Sequence, residues 1–158
     1  MNYHIDLQVA CENPLPFPEE KLINWAQSAL LAHKDSAELT LRFVDSDEIR
    51  TLNQNYRKKD KPTNVLAFPS VIPPHIELDF PFLGDVIICP SVLAEESREQ
   101  EKSLESHWAH IIIHGVLHLL GYDHIEAEDE KRMQQEEIQL LEQFGFSNPY
   151  NEEDNHLE

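Results

Sequence analysis

The sequence predicts an α+β fold. One domain spans residues 1–150, a small mixed four-stranded sheet packed by about five helices, one of them central, buried and histidine-bearing. Three observations predict it. Residues 3–9 and 39–43 alternate apolar and polar side chains, the period of half-buried strands. Residues 104–120 are apolar almost all round the helical wheel, which suits only a helix enclosed by other elements. No repeat or linker interrupts the 158 residues, a length sufficient for one real core.

The elements follow in order. Tyr3, Ile5, Leu7 and Val9 set the inward face of a first strand. Pro14, Pro16 and Pro18 make a stiff connection to a helix over Glu19–Ala32, whose apolar face holds Leu22, Ile23, Trp25, Ala26, Ala29 and Leu30. Leu39, Leu41 and Phe43 mark a second strand. Asp45 or Ser46 then caps a short helix running through Leu52. The apolar runs Val65–Phe68 and Asp85–Cys89 read as two more strands, separated by a proline-rich loop over Pro69–Pro81. Pro90-Ser91 starts a helix to about Lys102, with Ser91 as its cap. The central helix covers about Leu104–Leu120, and a final amphipathic helix covers Glu126–Phe144, ended by Gly145. Residues 151–158 read as an acidic, disordered tail.

Composition narrows the function classes. Hydrophobic residues make up 41% of the chain, too many for disorder over most of its length. Cys11 and Cys89 are too few for a disulfide framework and show no metal spacing, so both read as reduced thiols of a cytoplasmic protein. The first residues lack the basic start and apolar run of a signal peptide, and no stretch is apolar enough to span a membrane. The formal charge of -18, from 12 basic and 30 acidic residues, argues against a nucleic-acid partner when read globally. Its distribution softens that objection, because Arg50, Arg57, Lys58, Lys59 and Lys61 fall in one short segment.

The run His114-Gly115-Val116-Leu117-His118-Leu119-Leu120-Gly121-Tyr122-Asp123-His124 is the most informative part of the chain. Residues four apart share a helix face, which brings His114 and His118 together. Gly121 permits the helix to end, so that the chain can turn and set His124 over the other two. Three imidazoles with a fourth position open is the layout of a catalytic zinc rather than of a closed structural one. His110 also lies on this stripe, but His110, His114 and His118 spread along the axis by ~12 Å and cannot close on one ion. His110 therefore reads as a packing or supporting residue, and His107 as a surface one. The spacing is that of metzincin peptidases, which carry Glu directly after the first histidine as the general base. Gly115 stands there instead, which moves the reaction away from peptide cleavage.

A second segment, Leu52-Asn53-Gln54-Asn55-Tyr56-Arg57-Lys58-Lys59-Asp60-Lys61-Pro62-Thr63-Asn64-Val65-Leu66-Ala67-Phe68-Pro69, joins the histidine run and Gly84-Asp85-Val86-Ile87-Ile88 in a pattern that resembles the bacterial YbeY family. These are metal-dependent endoribonucleases of rRNA maturation. The resemblance implies one zinc ion per chain on His114, His118 and His124, and a functional Arg57. It implies single-stranded RNA, an rRNA precursor, as substrate, with the ribosome or its proteins as partners. The implied activity is endonucleolytic cleavage at the 3′ end of 16S rRNA and in ribosome quality control. Many members have Asp where this chain has Asn64, and Ser where it has Ala67, so no base role falls to position 64.

Chemistry agrees with that expectation. Cleaving a phosphodiester requires a cation beside the developing charge and an activated oxygen nucleophile. His114 stands at this centre as ligand and catalytic residue. Arg57 can grip two phosphate oxygens with its planar fork and is expected to face the cleft of the three histidines. Read from the residues alone, it is equally a surface ion-pair former. Lys58, Lys59 and Lys61 either steer the RNA backbone or form a solvated basic loop. Asp85 is a supporting or proton-accepting residue, or else a structural one. Asp123 is a turn former or a support for a ligand. Tyr56 and Trp108 can stack on bases, although Trp108 fits the core better. The competing readings are a ribosome-assembly factor with structural zinc and, more remotely, a metallopeptidase.

Overall fold

A computed structural model describes residues 2–70, 81–122 and 126–150. The elements are β1 (Asn2–Val9), α1 (Glu19–Leu31), β2 (Ser36–Phe43), α2 (Ser46–Arg57), β3 (Val65–Pro69), β4 (Phe82–Ile88), α3 (Pro90–Glu99), α4 (Leu104–Leu119) and α5 (Ala127–Gln143). The sheet order is β1-β2-β4-β3. β1, β2 and β4 run parallel, and β3 lies antiparallel on β4 at the sheet's edge. This is the mixed four-stranded sheet with five helices that the alternation and helical periods predict.

Alternation divides the sheet into two faces. Leu39, Leu41 and Phe43 of β2, Val86 and Ile88 of β4 and Val65 of β3 join α1 and α4 in the main core, where Trp108 stacks on Phe43. Leu66 and Ile87, with Val44 and Cys89, form a second cluster beneath Ile49 and Leu52 of α2. Thus α2 and α4 cover opposite faces, and β3 is the edge strand between them. α4 is buried from His107 through Leu117, which is why its sequence shows no polar side.

Several boundaries differ from the sequence reading. α2 continues past Leu52 to Arg57, because Asn53 stays on its buried side and Lys58 ends it in the left-handed conformation (φ 61°). α3 stops at Glu99, and Cys89 rather than Ser91 precedes its first turn, with Pro90 at the first helical position. Asp45 precedes α2, but its carboxylate accepts the Glu12 N–H instead of capping the helix. Val9 is exposed rather than inward. The expected tail, 151–158, and most of the proline-rich loop, 71–80, lie outside the described residues.

Candidate active site

α4 carries the site, and both of its ends are fixed. Ser103 accepts the Ser106 N–H at 3.1 Å and so caps the helix. At the other end Gly121 (φ 106°) lets the Gly121 and Tyr122 N–H groups return to the His118 and Leu117 carbonyls. Between these ends the rings of His114 and His118 meet nearly at right angles, with their Nε2 atoms 3.1 Å apart. Two nitrogens bound to one tetrahedral zinc at 2.0–2.1 Å would stand about 3.3 Å apart. Asp123 and His124 lie outside the described residues. Among the described residues, no group of three or more His, Cys, Asp or Glu could hold a metal ion.

The tautomer of His114 is set from behind. Its Nδ1 lies 2.5 Å from Oε2 of Glu137 on α5. Glu137 is fully buried. Burial alone would push its carboxyl up, but the His110 and His114 imidazoles overcome this and hold it below the ordinary carboxylate range. An ionised carboxylate only accepts, so His114 Nδ1–H donates to it, and the Nε2 lone pair is left facing His118. The donor set therefore fits a divalent cation with nitrogen preference. The second oxygen of Glu137 accepts from His110 Nε2 at 3.0 Å and from the Tyr150 hydroxyl. Burial pushes the His110 imidazole down against the pull of Glu137, and burial together with the Glu137 charge pushes the Tyr150 phenol up. His110 is thus a supporting residue, as its axial spacing predicted.

Glu137 and Tyr150 escaped the sequence reading. Glu137 had a visible signal: it occupies the apolar stripe of α5 with Met133, Leu140 and Leu141, where an acid needs a partner. Tyr150 lies beyond the last periodic segment and had none.

His107 is a correction. It is buried, not on the surface, and its Nε2 lies 2.8 Å from Oε1 of Glu96. Glu96 also accepts from Asn64 Nδ2, 3.3 Å from both oxygens. α4 turns His107 toward α3, so the polar side chain finds its partner inside the fold. The same carboxylate anchors the start of β3, where Thr63 and Asn64 are buried. An amide at position 64 can donate to Glu96, whereas a carboxylate there would face like charge.

Arg57 ends α2 and is half-buried. Arg42 and Arg50 are engaged by Glu48 and Asp60. Among the described residues no carboxylate engages Arg57. It ends α2 on the Leu66 face of the sheet, whereas His114 and His118 lie on α4 on the Val65 face. Lys58, Lys59 and Lys61 are exposed in the loop that follows. Asp85 is half-buried and pairs across the strands with Phe68. It shares the Phe68 face, on the Arg57 side of the sheet rather than the α4 side. Tyr56 is 66% exposed and meets Phe68 edge-on, ring centroids 4.7 Å apart. Trp108 is buried core.

Gly115 faces Val86: a Cβ there would fall 2.5 Å from Val86 Cγ1 and 3.4 Å from Val65 Cγ2. A glutamate at this position would be driven into the sheet.

The profile of the family described as Endoribonuclease YbeY matches residues 9–145. Endoribonuclease YbeY proteins of Legionella pneumophila strains Corby, Lens and Paris are each 55% identical over 158 residues, covering all of both chains. The solution structure of TM1509 from Thermotoga maritima superposes with a TM-score of 0.58 at 28% identity, over 86% of this chain and 87% of that one. With the profile spanning most of its length and full-length relatives at this identity, the chain belongs to the endoribonuclease YbeY family.

Proposed function

We propose that this protein is a metal-dependent, single-strand-specific endoribonuclease that acts in rRNA maturation, at the 3′ end of 16S rRNA, and in ribosome quality control. The observation that carries the metal reading is the convergence of His114 and His118 Nε2, with His114 locked by Glu137 in the tautomer a metal requires. His114, His118 and His124 would hold one zinc ion. Zinc supplies positive charge beside the scissile phosphate and lowers the pKa of water.

The chain's own residues do the rest. Glu137 keeps the Nδ1 proton on His114 and fixes its ring. Arg57 binds two phosphate oxygens with its planar fork, a role left open because no carboxylate engages it among the described residues. Tyr56, resting on Phe68, offers a base-stacking step beside Arg57. Lys58, Lys59 and Lys61 supply the positive field that an otherwise acidic protein needs to approach RNA. The substrate path this reading takes runs over β3, from the Arg57 layer to the histidine layer. Asp85, on the Arg57 side of the sheet, would position the RNA or accept a proton. The protein works in the cytoplasm, with ribosomal proteins as partners. Among the described residues no helix is long and apolar enough to cross a membrane. The close approach of Gly115 to Val86 disfavours a peptidase built on a glutamate there.

The test is zinc content together with RNA cleavage by the purified protein, using single-stranded and duplex substrates. About one zinc per chain is expected. His114→Ala should stay folded and lose cleavage. An unfolded His114→Ala protein would favour structural zinc, and one that cuts RNA normally would overturn the assignment.

A further inference from the structure

The family profile ends at residue 145, yet Tyr150 reaches the carboxylate behind the first histidine. We infer that Tyr150, carried by the C-terminal segment after α5, is a positioning residue of the metal site, acting through Glu137 on His114. The inference rests on the metal reading above and goes beyond it.

Glu137 is fully buried, so each carboxylate oxygen needs donors from protein. Oε2 serves His114 alone among the described residues, at 2.5 Å. Oε1 is held by His110 Nε2–H at 3.0 Å and by the Tyr150 hydroxyl. A carboxylate can rotate about its last carbon–carbon bond unless both oxygens are fixed. The two donors on Oε1 therefore determine where Oε2 points, and Oε2 determines the ring plane and tautomer of His114. His110 is part of α4 and moves with His114. Tyr150 is the one donor to Glu137 from outside α4, among the described residues, so it ties the carboxylate to a separate part of the chain.

The segment is built to place this hydroxyl. Gly145 (φ 84°) ends α5 and returns the Phe146 N–H to Leu141. Phe146 packs edge-on against Trp25. Asn148 Oδ1 accepts the Tyr150 N–H at 2.7 Å, a local turn that directs the tyrosine back to the core. The ring then meets His110 edge-on, centroids 5.3 Å apart.

The test is zinc affinity, by competition with a chromophoric chelator, for the full chain and for Tyr150→Phe. The Phe variant keeps the ring and removes only the hydroxyl. Changing a ligand's direct carboxylate partner costs about 10–100-fold in metal affinity, and a residue one bond further out should cost about 3–10-fold. Melting of the metal-free protein should shift little by comparison. Nitrogen NMR of the His114 ring should show a less uniform Nδ1–H tautomer. Asn148→Ala should weaken zinc binding in the same direction, since it loosens the same tyrosine. Unchanged affinity and tautomer in both variants would overturn the inference while leaving the metal reading intact. Failure of the parent protein to bind zinc would instead bring down the metal reading, and this inference with it.

Discussion

At Gly115 a single added methyl group would press on Val86 within 2.5 Å. Alanine gains about 1 kcal/mol over glycine in a helix, but overpacking a core costs about 1–3 kcal/mol. Val86 is β-branched and fixed in β4, so the packing term should win. Gly115→Ala is expected to lower stability by about 1 kcal/mol in urea unfolding, and Val86→Ala in the same chain should relieve part of that loss. A Gly115→Ala protein more stable than the parent would refute the contact. At Arg57, lysine keeps the charge and loses the fork. Arg57→Lys should slow cleavage by about 2–4 kcal/mol while RNA binding changes little. Lys58→Ala or Lys59→Ala should mainly weaken binding and flatten its salt dependence. Single-turnover rates and binding curves at two salt concentrations separate the two outcomes. The shared face of His114 and His118 was legible because helical spacing dictates it. Glu137 and the burial of His107 were not, since each depends on a partner 23 or 11 residues away on another helix.

The helices and strands with strong periods were read within a few residues, α1, α4 and α5 best of all. Errors fell where polarity hid the period. Asn53 and Tyr56 disguise the last turns of α2, and the cap of α3 turns on Pro90 rather than on a hydroxyl side chain. α4 depends on its own ends. Ser103→Ala should cost about 1 kcal/mol, because the Ser106 N–H would lose its acceptor. Thermal melting would show it, and an unchanged melting temperature would mean that the cap contributes nothing. The same loss should leave the Nε2 separation of His114 and His118 intact, since both lie at least two turns further along.

The whole molecule carries a buried acid–imidazole cluster whose state follows pH. His110 is held neutral by burial, below its ordinary value of about 6.5. In the window below that value the unfolded chain binds a proton that the folded chain refuses. The contribution is therefore present above about pH 6.5 and is lost as pH falls. Glu137, also lowered, adds a second loss as pH falls below its ordinary value of about 4.3. Stability should drop steadily from pH 7 to pH 4 in urea unfolding of the metal-free protein. A rise over that range would contradict the cluster as described. The sheet order has a further consequence, in time rather than energy. Leu39 of β2 pairs with Gly84 of β4, 45 positions later, while β1 pairs with β2 across 34. A ribosome adds about 5–20 residues per second, so β2 waits seconds after its own synthesis for its second neighbour. Meanwhile its free edge has only Glu38 and Arg42 as charged guards. Such distant parallel pairings place folding in the millisecond-to-second range rather than the microsecond one, and the histidine-bearing helix is made only after that sheet can close.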